Sequence, residues 1–297
     1  RSRNQIWMGD ASQQLYQDAK DDRAFETVYR QIDSQSRILF DINFRNSISI
    51  AQLAKAFITV NDLDREANIT RNQKIDNFIR PIAANPRQTS GARNQPNLFI
   101  QARSESEEFD AIAQIIKDIQ GSVGTDKQIA VAQLHNKQVD LLERELTARG
   151  VDVERLPHMR DRNVDSLPDF KNKNLTLLST IHSLKGLEFD YIIFPRSETS
   201  KIDFFADDDI NMNLFFVLFS RAKTRIICSY TNREESFVYN AIRGDVNNAF
   251  FQFVEASDYI NEEFEEDTDQ PISDDEEVVE EQNQTAEQLV EEYFANM

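Results

Sequence analysis

Residues 179–195 read STIHSLKGLEFDYIIFP. Apolar runs close in from both sides, TLLST at 176–180 and FDYIIFP at 189–195, around a polar insert, HSLKGLE, built about one glycine. A buried strand has no use for a His, a Ser, a Lys and a Glu in close succession. The flanking runs are apolar on successive rather than alternate residues, which marks strands covered on both faces. The insert therefore reads as a functional loop at the end of a buried strand.

Working outward, strand and helix patterns alternate. QIWMG (5–9) and RILFDI (37–42) read as strands, and NSISIAQLAKAFI (46–58) carries Ile48, Ala51, Leu53, Ala54 and Phe57 near helical spacing. Residues 62–97 are polar and rich in Arg, Asn and Pro, and their last part, NPRQTSGARNQP, reads as loop. NLFIQA (97–102), QIAVAQL (128–134), VDVERL (151–156), TLLSTI (176–181), DYIIF (190–194) and RIICSYT (225–231) follow as strands. EEFDAIAQIIKDI (107–119), KQVDLLERELTARG (137–150) and NLFFVLFSRAK (213–223) read as helices, with FVYNAI (237–242) and NAFFQFV (248–254) as closing helices. The alternation predicts an α/β fold, a parallel sheet with helices on both faces.

The formal net charge of −19 over 297 residues is unevenly placed. Residues 255–297 hold 17 acidic and no basic side chains, while residues 1–254 carry 35 acidic and 33 basic, a net of −2. A near-neutral body leaves nucleic acid open as its partner. The acidic run at 261–282 is too polar to build a core of its own. TAEQLVEEYFANM (285–297) differs: behind Thr285, a short helix would align Leu289, Val290, Tyr293 and Phe294. It reads either as a docking peptide for a protein partner or as a frayed end. The single cysteine, Cys228, has no disulfide partner in the chain, favours a reducing, cytoplasmic setting and reads as a small core residue. No apolar run approaches the roughly 20 residues that span a bilayer, so no membrane is expected. The opening RSRNQIWMGD lacks an initiator Met and reads as the inside of a longer protein or a trimmed one.

Open parallel sheets bind ligands beyond the carboxyl ends of their strands. Four polar clusters are expected at one such edge: GDASQQLY (9–16), NFR (43–45), the HSLKGLE insert and SRAK (220–223). Two of them offer an arginine, the side chain best matched to a phosphate. Singly, each has an ordinary explanation. An Arg at a strand end is usually solvated, a lone His is usually a hydrogen-bonded structural imidazole, and Tyr16 and Phe44 suit a core.

In order, however, MGDASQQLY, NFRNS, STIHSLKGLEF and LFSRAK resemble motifs III, IV, V and VI of UvrD/Rep-type superfamily 1 helicases. The stretch from NLFIQA to RGVDV resembles the segment that joins motifs IV and V, so the resemblance spans residues 4–235. It implies the end of a first RecA-like lobe at 1–25, a second RecA-like lobe at 26–255 and an acidic tail at 256–297. By the same resemblance, Gln13 senses the γ-phosphate and its attacking water, and Asp10 supports that loop. Arg45 and Arg221 stabilise the charge on the transferred phosphoryl. Phe44 stacks on adenine, Glu188 accepts from the ribose, and Gly186 shapes the loop beside the nucleotide. Tyr16, Thr180, His182 and Ser183 contact single-stranded DNA, with Lys185 supporting them electrostatically. HSLKGLE would then be a strand-to-helix loop with nucleotide on one side and DNA on the other. ATP with Mg²⁺ is the implied cofactor, and 3′-to-5′ movement the implied activity.

The pattern departs from the family in places. QDAKDD follows Tyr16 where an aromatic residue and Arg-Gly-Ala are usual; Met212 and Asn213 replace arginines, Phe216 a Tyr and Ser220 a Thr. Residues 154–174 are too few for the domain that many relatives insert before motif V. None of the seven glycines opens a G-x-x-x-x-G-K-[ST] loop, and no apolar strand ends in paired acids that would hold Mg²⁺. The expectation is an ATP-dependent DNA helicase completed by a separate N-terminal lobe that brings those parts, and inactive without it. The rival is a non-catalytic half-helicase that binds DNA or a protein and regulates it.

Overall fold

The computed structural model describes residues 46–60, 62–90, 94–122, 127–157, 176–205, 208–245 and 248–260. The strands expected at 5–9 and 37–42, the helix expected at 285–297, and Asp10, Gln13, Tyr16, Phe44 and Arg45 lie outside the described residues.

Seven strands are described: β1 (Asn97–Gln101), β2 (Ile129–Gln133), β3 (Val153–Arg155), β4 (Thr176–Thr180), β5 (Phe189–Phe194), β6 (Ala222–Tyr230) and β7 (Phe251–Glu255). They form one sheet in the order β3-β4-β2-β5-β6-β1-β7, parallel at every pairing. The helices are α1 (Ile48–Ala54), α2 (Asp62–Glu66), α3 (Arg71–Ala83), α4 (Pro86–Thr89), α5 (Glu105–Gly121), α6 (Asn136–Ala148), α7 (Asp208–Phe219), α8 (Phe237–Ala241) and α9 (Ser257–Ile260).

The sheet is covered on both sides, which is why its strands are apolar on consecutive residues. Ile192 and Phe194 of β5 join a core built with α1 and α7, while Ile193 between them joins a second core built with α5 and α6. In β2, Ala130 and Ala132 face the first core and Ile129 and Val131 the second. This is the architecture expected of a RecA-like lobe. Cys228 is fully buried in the first core, and burial pushes its thiol well above the ordinary range, so it behaves as an inert apolar residue.

The first core is dense in phenylalanine because residues 214–219 of α7 are apolar in succession and all buried. Phe215 stacks on Phe57 at 5.5 Å, meets Phe194 edge-on at 5.1 Å and lies 5.0 Å from Phe237. Such ring pairs contribute about 0.5–1.5 kcal/mol each beyond the area they bury.

Two stretches differ from the sequence reading. Residues 71–83 lie in the stretch read only as polar, with no helix expected, and form α3. Its start is a capping box: the Thr70 N–H donates to Gln73 Oε1 at 2.8 Å, and the Gln73 N–H donates to Thr70 Oγ1 at 3.3 Å. Ile75, Phe78, Ile79 and Ile82 then make a stripe that packs with Ile48, Ala51 and Phe250. The polar composition of its other face hid that period. NAFFQFV was expected as a helix, but its second half is edge strand β7. Phe251 and Phe253 point to the same side and pack on Phe99 at 6.0 and 5.1 Å, with exposed Gln252 between them. That is a period of two, not of 3.6.

Candidate nucleotide and nucleic-acid site

The HSLKGLE insert crosses the sheet. Thr180, the last residue of β4, pairs with Gln133 at the carboxyl end of β2, whereas Tyr191 of β5 pairs with Ile129 at its amino end. The chain therefore returns the whole length of β2, about 13 Å at a strand rise of ~3.3 Å per residue, within residues 181–188. A parallel crossover usually takes a dozen residues or more. Here the 3₁₀ helix Ile181–Leu184 starts the descent, rising ~2.0 Å per residue against 1.5 Å for an α-helix. Ile181 and Leu184 bury it against the first core. Gly186 then turns the chain at φ 85°, with no atom within 4 Å of where a side chain would begin, so the backbone angle and not crowding calls for glycine. The expected strand-to-helix loop is thus a strand-to-strand crossing.

This crossing divides the expected site residues. Glu188 is exposed at the amino edge of the sheet, directly before β5. The Phe189 N–H beside it donates to the Arg221 carbonyl at 3.0 Å, and Arg221 directly precedes β6. Asn46, next in the chain after Arg45, reaches the same point. Its side-chain amide donates to the carbonyls of Ser220 at 3.0 Å and Ala222 at 2.9 Å, on either side of Arg221. Arg221 itself is 3 % exposed; its Nε donates to the Val217 carbonyl at 3.2 Å and its Nη2 to Ser220 Oγ at 3.2 Å. A guanidinium at the carboxyl end of α7 is well placed against that helix's dipole and its unpaired carbonyls.

Thr180, His182 and Ser183 stay at the carboxyl edge. Thr180 Oγ1 donates to the buried Ser183 Oγ at 3.2 Å. His182 meets Phe205 edge-on at 5.6 Å, and His135 packs against the same ring at 5.2 Å. Asn211 holds Phe205 through its backbone, accepting from its N–H at 3.0 Å and donating to its carbonyl at 2.8 Å. Lys185 occupies the turn between the two edges. The expectation of a single shared carboxyl edge is therefore corrected: Gly186, Glu188 and Arg221 belong to the amino end. The reading failed because Arg221 precedes a strand and because HSLKGLE runs the full height of the sheet. Asn46, His135, Phe205 and Asn211 were missed; they are ordinary residue types whose placement depends on contacts far apart in sequence.

A buried carboxylate pair stiffens the carboxyl edge. Glu198 accepts from Lys201 Nζ at 2.8 Å and from Thr231 Oγ1 at 2.6 Å. Burial pushes its carboxyl up, but Lys201 and Thr231 outweigh that and hold it below the usual carboxylate value. Glu108, in the first turn of α5, accepts from Ser229 Oγ at 2.6 Å and the Arg196 N–H at 2.8 Å. Burial, with Glu198 adding to it against the pull of Ser229, raises its pKa to about 6. An acid whose folded pKa is raised contributes most below its unfolded value, and that contribution is lost as pH rises to about 6. Holding Glu108 ionised above that pH costs about 2 kcal/mol, at ~1.4 kcal/mol per pKa unit. Glu108→Gln should therefore gain stability relative to the parent between pH 4.5 and pH 7. Urea unfolding at both pH values checks this, and a difference that does not change with pH would refute it.

A family model described as AAA domain matches residues 20–230, well over half of the chain. The chain belongs to the AAA domain family. No curated protein matches it. Among solved structures, this AAA domain is similar to the C-terminal domain of a possible DNA helicase from Lactobacillus plantarum WCFS1, with 16% identity and a TM-score of 0.43 over 71% of this chain and 98% of that one. It is also similar to S. cerevisiae Dbp5 bound to RNA and ADP BeF3, with 16% identity and a TM-score of 0.45 over 84% of this chain and 59% of that one. The C-terminal domain of the DEAD-box protein Dbp5 alone gives 14% identity and a TM-score of 0.36 over 56% and 91%. These likenesses are loose, each below a TM-score of 0.5. The described residues of the AAA domain fit part of a nucleotide site, an exposed carboxylate beside an arginine-bearing turn. They offer no group of three His, Cys, Asp or Glu placed to hold a metal ion. No described helix is long and apolar enough to cross a membrane.

Proposed function

We propose that this chain is the second lobe, with the end of the first, of a UvrD/Rep-type ATP-dependent helicase that moves 3′-to-5′ along single-stranded DNA in the cytoplasm. The observation that carries the reading is the meeting at the amino edge of β5 and β6. Phe189, next in the chain after Glu188, and Asn46, next after Arg45, each hydrogen-bond the turn that holds Arg221. Loops this far apart in sequence would supply the ribose acceptor and two guanidinium groups to one triphosphate. ATP, when bound, supplies the phosphoryl group; Arg45 and Arg221 would stabilise its charge, and Gln13, supported by Asp10, would orient water. Phe44 would stack on adenine. The phosphate loop and Mg²⁺ ligands would come from the completing first lobe. Thr180, His182, Ser183 and Lys185, with Tyr16, would meet the DNA at the other edge.

One observation favours the rival, a non-catalytic regulatory module: Arg221 is buried and its guanidinium caps its own helix. The deciding measurement is ATP turnover by the full-length protein with and without single-stranded DNA. Turnover that DNA stimulates supports the motor, and no turnover in either condition supports the module.

The tail is read as a polyanion that competes with DNA or docks a protein partner. Ala256 is buried and Tyr259 packs on the second core, so a clean truncation begins at 261. Deleting 261–297 should leave ATP turnover unchanged and raise single-strand affinity severalfold at low salt, with the gain shrinking as salt rises. Unchanged affinity at every salt concentration would rule out competition.

A further inference from the structure

Asn46 is 1 % exposed, and both protons of its amide are used on the two carbonyls that bracket Arg221. Its other neighbour, Ser47, caps α1 by accepting from the Ile50 N–H at 3.3 Å. Helix α1 packs in the same core as α7, the helix that ends at Arg221. Residue 46 is therefore held on both sides, by the first turn of one helix and by the turn that closes another. A helix end leaves carbonyls to be satisfied, and any donor would do for that alone. Asn46 instead grips the carbonyl before Arg221 and the carbonyl after it, which fixes the path of the arginine's own backbone.

We propose that Asn46 is a positioning residue that fixes the Arg221 turn and, through it, the placement of the Arg221 guanidinium group. The proposal rests on the nucleotide reading above. An error of about 1 Å in the placement of a catalytic group costs on the order of 100-fold in rate. Asn46→Asp keeps the shape but faces two carbonyl oxygens with oxygens, so it breaks the grip without opening a cavity.

The test uses the full-length protein, with ATP turnover measured over a range of ATP concentrations. Asn46→Ala and Asn46→Asp should lower kcat about 10- to 100-fold, change KM for ATP far less and leave single-strand affinity intact. Asn46→Ser keeps one donor and should fall between them and the parent. The decisive readout is a double variant: Asn46→Ala added to Arg221→Ala should slow single turnovers no further, because the grip acts through Arg221. Losses that multiply would overturn the proposal, as would a folded Asn46→Asp or Asn46→Ser protein with parental kcat while Arg221→Ala is inactive. Normal turnover by Arg221→Ala would sink the nucleotide reading itself, a distinct failure. Thermal midpoints separate unfolding from mispositioning: each variant loses a buried bond and should melt below the parent, so turnover is read well below every midpoint, and a parental kcat there would also overturn it.

Discussion

Arg221→Ala in the full-length protein should lower ATP turnover by about 10³- to 10⁵-fold and leave single-strand affinity near the parental value. The argument is one of location. Arg221 sits at the amino edge with Glu188, on the turn that Asn46 grips, while Thr180 and His182 lie at the opposite edge. Removing the guanidinium therefore strikes one function and spares the other. The loss of its charged hydrogen bonds to Val217 and Ser220 costs about 1.5–3 kcal/mol each, so the thermal midpoint of the variant is read beside its turnover. A variant that is folded and turns over ATP normally would show that Arg221 only caps α7. Phosphate release at saturating ATP, with and without single-stranded DNA, is the measurement.

Phe215→Ala should destabilise the lobe by about 3–5 kcal/mol. The ring is fully buried and lies within 6.2 Å, centre to centre, of Phe57, Phe194, Phe204, Phe219 and Phe237. Partners drawn from α7, β5, α8 and the 3₁₀ helix Lys55–Phe57 cannot all relax into one hole, so the cavity term stays large. Phe215→Leu removes less volume and should cost markedly less. Urea unfolding of both variants checks the order, and a loss below about 1 kcal/mol for the alanine variant would mean that the core refills.

Much of the fold was legible in the sequence because a parallel sheet imposes a strong signal. Ile192-Ile193-Phe194 has to be apolar throughout, since alternate residues enter different cores. Helix α5 announced itself by period and by the acids of its first turn. Helix α3 did not, because Arg71, Arg80 and the amides around them dominate its composition. Only Thr70 with Gln73, and the stripe from Ile75 to Ile82, betray it. Strand β7 was mistaken for a helix because FFQFV is short enough to fit both periods, and its pairing with β1, 154 residues earlier, decides the matter. The division of the expected residues between the two edges of the sheet was not legible. No local pattern says that a polar insert will travel from one end of a strand to the other, and no pattern ties Asn46 to a turn 174 residues away.

The short passage from Thr180 to Phe189 has a mechanical meaning. Its first residues touch one rim of the sheet and its last residues the other, with the 3₁₀ turn wedged into the core between them. The two rims are thus tied by eight residues of chain, and the pair of aliphatic side chains at 181 and 184 pins that tie to the core.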